Sequence, residues 1–189
     1  MPYIQPQPIP PIFFDSGTGN LFRHCKVCER DLMRGDIPYG IEKVIRRYPK
    51  FGTEDVIFDY AICMLCIEEQ HRQMSEESRA RMEEYYQSHM DVEAKLQEAK
   101  DKPVEYLLDR CAITGEKRMQ MEEYHVSALC VGDRLHPEMP PHMLGGKAME
   151  DIAELMSRQT LDQWNRFRDQ FLGPSPEISD LLKDRPVFR

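Results

Sequence analysis

The sequence predicts an α+β protein, and three observations predict it. Two C-x2-C pairs, in "FRHCKVCERD" and "YAICMLCIEE", bracket a run with the alternating pattern of a β-hairpin. A long acidic stretch with apolar residues at helical intervals follows the second pair. Beyond it, "CAITGEKR" repeats the outline of the first cysteine turn and leads through a strand-like run into further helices. The resulting division is an extended arm over 1–20, a four-cysteine unit with a helical extension over 21–100, and a second unit over 101–189.

The arm is read from its prolines and from the turn-rich "DSGTGN"; its apolar "IPPIFF" should cover the protein's own core. In "DIPYGIEKVIRRY", Ile37, Tyr39 and Ile41 alternate, "PKFGTED" supplies a turn, and "VIFDYAI" returns as a second strand ending at Cys63. After Cys66 the pattern turns helical. Ser75 stands before Glu76 and Glu77 as a helix start, and Met82, Tyr85 or Tyr86, Met90 and Leu96 follow at helical spacing. "DKP" at 101–103 marks the boundary, because proline disfavours helix in the residue before it. The second unit should hold a strand in "EYHVSALCVGDRL", a proline-rich loop "HPEMPPHMLGG" and a helix in "KAMEDIAELMSRQ" with Met149, Ile152, Ala153 and Met156 on one face. Another helix should start at Thr160 and Gln163, stop at Gly173-Pro174, and give way to a short one opened by Ser175-Pro176-Glu177.

Composition narrows the function classes. No run of about 18 apolar residues occurs, and the start lacks the basic and apolar regions of a secretion signal, so a cytoplasmic protein without membrane contact is expected. In a reducing compartment, cysteines at this spacing hold metal more often than they form disulfides. The formal charge of −8 argues against nonspecific binding of polyanions. Bases are concentrated locally, however: Arg23, Lys26, Arg34, Arg46 and Arg47 fall in the finger region and are candidate phosphate contacts.

Cys25, Cys28, Cys63 and Cys66 supply four thiolates, the full ligand set of a tetrahedral zinc site. Each two-residue spacing aims both sulfurs at one point. Soft thiolates favour zinc or a rubredoxin-like iron over hard cations, and availability favours zinc. A site closed by four cysteines leaves no position for substrate, so one structural Zn2+ is expected. Cys66 in the first helical turn also gains from the helix N-terminus.

Knuckle, hairpin, and a second knuckle opening a helix together resemble the treble-clef class of zinc fingers over residues 22–75. That class also hosts His-Asn nucleases, but Asn20 and Asn165 do not fall beside a histidine in a hairpin-helix position, and His24 and His71 read as surface histidines or as supports behind the cysteine ligands. The second unit resembles a degenerate, finger-like copy. Setting "CAITGEKR" beside "CKVCERDL" puts Thr114 where a second knuckle cysteine would stand, with Gly115 suited to the tight turn. Setting "EYHVSALCVGDRL" beside "DYAICMLCIEE" aligns Cys130 with the second pair. Were this copy to hold metal, Cys111 and Cys130 would need partners among His125, Asp133 and His136; two buried thiols without metal are the simpler expectation. As a whole, "IPYGIEKVIRRYP", "YAICMLC", "CAITGEKR" and "MLGGKAMEDIAELMSRQT" resemble a family of bacterial proteins to which no activity is attached.

No triad, H-E-x-x-H or complete phosphate loop is present; "LGGKAMEDI" lacks the earlier glycine and the following hydroxyl of such a loop. Trp164, Phe167 and Phe171 at helical spacing read as a docking stripe. The chain is therefore expected to bind another protein, or itself, on a zinc-held scaffold rather than to catalyse a reaction. Nucleic-acid or ribosome association through the basic finger face is the alternative, and an enzyme whose site is assembled across the chain is the third reading.

Overall fold

The computed structural model describes residues 7–172. The first prolines of the arm, the stop at Gly173-Pro174 and the helix expected from Ser175 lie outside the described residues.

The cysteine turn at residues 24–31 leads into β1 (Tyr39–Tyr48), which turns back as β2 (Thr53–Cys63) and runs directly into α1 (Met64–Gln73). The acidic middle forms α2 (Glu76–His89) and α3 (Val92–Asp101), followed by the short α4 (Val104–Leu107). Then come β3 (Glu123–Val131), β4 (Arg134–Leu135), β5 (His142–Gly145), α5 (Gly146–Leu155) and α6 (Arg158–Phe171). The strands make one antiparallel sheet in the order β2-β1-β3-β4, with β5 also paired to β3. The protein is thus α+β.

Alternation sorts the sheet into two faces. Tyr39, Ile41 and Ile45 of β1 point, with Tyr124, Val126 and Cys130 of β3, into a core closed by the arm, whose Ile9 and Phe13 are buried. The arm covers the protein's own core, as its apolar residues suggest. It is fastened by a buried ion pair: Lys43 lies 3.1 Å from Asp59, Lys43 donates to the Phe14 carbonyl, and Asp59 accepts from the Ser16 amide and hydroxyl at 2.8 and 3.0 Å. The opposite face, with Glu42, Val44, His125 and Ser127, looks toward the helices.

The two halves of the chain are related by an approximate two-fold axis. β1 and β3 pair from Tyr39↔Cys130 to Ile45↔Tyr124, centred on Glu42↔Ser127. Within each half the hairpin register is the same, Tyr39↔Cys63 and Ile41↔Ala61 against Tyr124↔Gly145 and Val126↔Met143. The helices match in length: α1 and α5 have 10 residues each, α2 and α6 have 14. Ser75 caps α2 and Ser157 caps α6, and their hydroxyls meet at 2.9 Å. The Ser75 amide donates to Thr160 Oγ1 at 3.1 Å and the Ser157 amide to Ser78 Oγ at 2.8 Å, a reciprocal latch that satisfies two fully buried hydroxyls. The second helix of each half lies on the first helix of the other. Tyr85 of α2 donates to Asp151 of α5 at 3.3 Å, while Gln163 of α6 donates to the Gln70 carbonyl of α1 at 3.1 Å.

Three expectations about the second half change. The counterpart of β1 is β3, so Cys130 corresponds to Ile45 and not to the second cysteine pair; the counterpart of β2 is β5, four residues inside the proline-rich segment expected to be a loop. The last described helix starts one turn earlier than Thr160, because Ser157 caps it and Thr160 is its third residue.

Candidate metal centre

The first cysteine turn is closed by its own backbone. The Cys25 amide donates to the Arg30 carbonyl at 2.9 Å and the Glu29 amide to the Cys25 carbonyl at 3.0 Å, with Glu29 at φ 57°. This fold-back brings Cys28 round beside Cys25. The second pair lies at the open end of the hairpin, where the Lys26 amide donates to the Ala61 carbonyl at 2.8 Å and holds the knuckle on β2. Cys63 is then the N-cap of α1 and Cys66 lies in its first turn.

The four sulfurs of Cys25, Cys28, Cys63 and Cys66 all lie within 4.8 Å of one another, and among the described residues they are the one group of three or more potential ligands so gathered. Cys28 Sγ and Cys63 Sγ stand 3.7 Å apart. Thiolates about 2.3 Å from a tetrahedral ion are separated by about 3.8 Å, so the donor set fits such an ion. All six cysteines are free thiols.

Backbone amides already face these sulfurs, with Cys63 N–H donating to Cys25 Sγ at 3.3 Å. At Cys28, burial opposes ionisation, yet the Arg30 amide and the three neighbouring thiols outweigh it and draw the pKa down to about 7. Burial, joined by the neighbouring thiols, pushes Cys66 up; at Cys63 burial, with the Cys28 and Cys25 thiols, prevails over the Cys66 amide and thiol. Once one thiol has given up its proton, its neighbours resist following, a repulsion that a bound dication removes.

The second candidate ligand set is not brought together. Cys111 sits in a turn with the same hydrogen bonds as the first knuckle: its amide donates to Glu116 at 2.8 Å, and Gly115, at φ 72°, donates back to the Cys111 carbonyl at 3.0 Å. The Ala112 amide reaches Met143 at 2.7 Å, as Lys26 reaches Ala61. Gly145 N–H even donates to Cys111 Sγ at 3.3 Å, as Cys63 does to Cys25. Three of the four cysteine positions differ, however: Thr114, Gly145 and Ala148 stand where Cys28, Cys63 and Cys66 stand in the first half. Cys130 is buried on β3 opposite Tyr39, His125 faces the helices, and Asp133 and His136 flank β4. Burial alone pushes the Cys130 thiol up to about 12.

The basic residues divide. Arg46 pairs with Glu123 at 2.7 Å; Arg47 pairs with Glu54 at 2.8 Å and donates to the Arg118, Met119 and Met121 carbonyls. Both are engaged within the fold, and the Arg46 side chain remains half-exposed. Arg23 and Lys26 line an open groove beside the knuckle together with Asp15, Glu29 and Asp59, and Arg34 is exposed. Lys147 of the Gly-Gly-Lys sequence pairs with Asp151 along α5. His24 and His71 are exposed.

Sequence reasoning missed Glu42, Ser127 and His142, which meet beneath the helices. Strand alternation carried the signal, since it puts Glu42 on the same face as Val44 and not with Ile41.

No family model, curated protein or solved structure matches the chain. No described helix is long and apolar enough to cross a membrane.

Proposed function

We propose that the four-cysteine centre holds one structural zinc ion in a treble-clef-like unit, and that the scaffold serves to bind another protein. The gathering of the four sulfurs carries this reading. Thiolate-only ligation suits zinc, and four protein ligands complete its tetrahedron, leaving stabilisation as the metal's task. The second half is a degenerate copy of the same unit, whose knuckle survives without its ligands.

The interaction part of the proposal is supported by the far end of the β1–β2 hairpin. Phe51 is 79% exposed, with Val56 and Ile57 exposed beside it. β2 is an outer strand of the sheet, and a bulge between Val44 and Ile45 leaves Ile57 out of the ladder. Outer strands and apolar tips are surfaces on which protein partners pair and pack. The nucleic-acid alternative rests on Arg23, Lys26, Arg34, Arg46 and Arg47, the last two of which also pair with Glu123 and Glu54.

Metal content by plasma mass spectrometry, on protein purified without added zinc, tests the first part: one zinc per chain is expected, and none, with all six thiols titratable, overturns it. A photo-crosslinking residue placed at Phe51 and, separately, at Arg23 tests the second. Protein adducts at Phe51 are expected; RNA adducts at Arg23 that vanish steeply with salt would replace it with the alternative.

A further inference from the structure

A cavity of about 330 Å³ lies on the approximate two-fold axis, between the helix-facing side of the sheet and helices α2, α5 and α6. Glu42 stands on its floor at the centre of the β1–β3 pairing, and Ser127 donates to Glu42 Oε2 at 2.8 Å. Among the described residues Glu42 Oε1 accepts no hydrogen bond and Glu42 joins no ion pair. No lysine, arginine or aspartate lines the cavity.

The remaining polar groups there are neutral at physiological pH. Desolvation holds both His125 and His142 below the ordinary histidine value; nearby Glu123 opposes this at His125, and at His142 Lys95 adds to it against the Pro140 carbonyl. Burial, with a contribution from Glu42, pushes the Tyr60 hydroxyl up and raises that of Tyr86 to about 12. Burial likewise raises the Glu42 carboxyl to about 7, against the Ser127 hydrogen bond. A half-buried carboxylate that opens onto a cavity lined by neutral dipoles is poorly compensated when ionised, and a cation delivered to it would remove that cost.

The walls offer what such a cation needs. Phe58, Tyr60, Tyr86 and Trp164 present four aromatic rings around the cavity, with Met82 and Met149 between them. Aromatic faces attract ammonium groups, and attract them more strongly where water is excluded. The volume is at the lower end of the range for small-ligand sites, and a seam between two packed units is a common place for one.

We propose that this cavity binds a small organic ammonium ion, its charged head at Glu42 Oε1 and its apolar body against Phe58, Tyr86 and Trp164. The site lies apart from the cysteine cluster and does not depend on the metal assignment. Its selectivity is for charge of one sign on a compact apolar frame: an anion meets Glu42, and a neutral molecule leaves Glu42 unpaired.

Calorimetric titration of the metal-loaded full chain with choline and with its neutral isostere 3,3-dimethylbutan-1-ol tests this. Choline is expected to bind at millimolar concentration or below, and the isostere at least tenfold more weakly. Below about pH 7 choline binding should release a proton, because Glu42 must ionise to receive it. Glu42→Gln should weaken choline at least tenfold and abolish that release. Trp164→Ala, at a side chain 44% exposed, should weaken it severalfold with the fold checked by circular dichroism. Equal affinity for the two probes, unchanged choline affinity in Trp164→Ala, or no choline binding to the wild-type chain at tens of millimolar each overturns the proposal.

Discussion

The two halves of this protein share a backbone plan and differ in what fills it. In the first half, a knuckle and a helix N-terminus converge on four sulfurs. In the second, the same turns converge on Met121: a Cβ added to Gly145 would lie 2.8 Å from its sulfur atom, and Met121 is 5% exposed. A side chain has taken the place of a ligand cluster. The first half also carries the buried Lys43–Asp59 pair, where the second has Ala128 and Pro141. Polar fasteners hold one half together, apolar packing the other. A metal site and a small hydrophobic core are interchangeable ways to close one turn on another.

The largest effect that would break this comparison is loss of a ligand. Cys63→Ser should remove metal binding on the order of 10 kcal/mol and unfold the first half; an unchanged Tm would refute a structural metal. Next comes the reverse experiment. Thr114→Cys, Gly145→Cys and Ala148→Cys, combined with Met121→Ala to vacate the space, should raise the metal count from one per chain to two; a count that stays at one means the second knuckle has drifted from ligand geometry. Asp59→Ala should cost about 3–5 kcal/mol in denaturant unfolding, since it leaves Lys43 buried without its counter-charge; a cost under about 1 kcal/mol would show that the arm is held by apolar packing alone.

A smaller effect concerns the axis between the halves. The folded state keeps the Glu42 proton up to about pH 7, against an ordinary value of 4.5, so between these values the folded chain binds more protons than the unfolded one. Stability therefore falls as pH rises through that window, by at most about 3 kcal/mol because the carboxyl opens onto the cavity. His125 and His142, whose pKa values are lowered, contribute the opposite slope up to the ordinary value of 6.5. They do so in both proteins, and the difference between wild type and Glu42→Gln isolates the carboxyl: the variant should gain on the wild type from pH 4.5 to 7, and a constant difference would place Glu42 in water. The smallest effect is Cys111→Ala, expected to cost about 1 kcal/mol as the Gly145 amide loses its acceptor. That contrast with Cys63→Ser measures how differently the two halves depend on the thiol in the same turn.

The cysteine site was legible because two-residue spacing is a local constraint and four thiols are a chemically complete set. The hairpin was legible from alternation, and the Cys111 turn from its likeness to the first. The rest of the repeat was misread at Cys130 because cysteine identity, not strand position, drove the alignment. The better guide was "QMSEES" beside "LMSRQT": the Ser75 and Ser157 caps, each followed three residues later by a buried hydroxyl, fix the true register. β5 was hidden because its four residues follow Pro140 and Pro141 and run into Gly145-Gly146, which reads as punctuation when no partner strand is known. The cavity was illegible because its members come from both halves and meet only through the crossed helices.

Those crossed helices set the order in which the chain can be completed. Residues 25–66, which carry all four clustered cysteines, leave the ribosome before the second half and can gather while that half is still being made. β1, however, meets its second neighbour only when β3 at Glu123–Val131 has been synthesised, and α2 meets α5 later still. In that interval the nascent first half presents an unpaired strand edge that matches the missing second half and, by the two-fold relation, another nascent first half. Synthesis speed and chain crowding on one messenger thus bear on whether this seam closes within a molecule or between two.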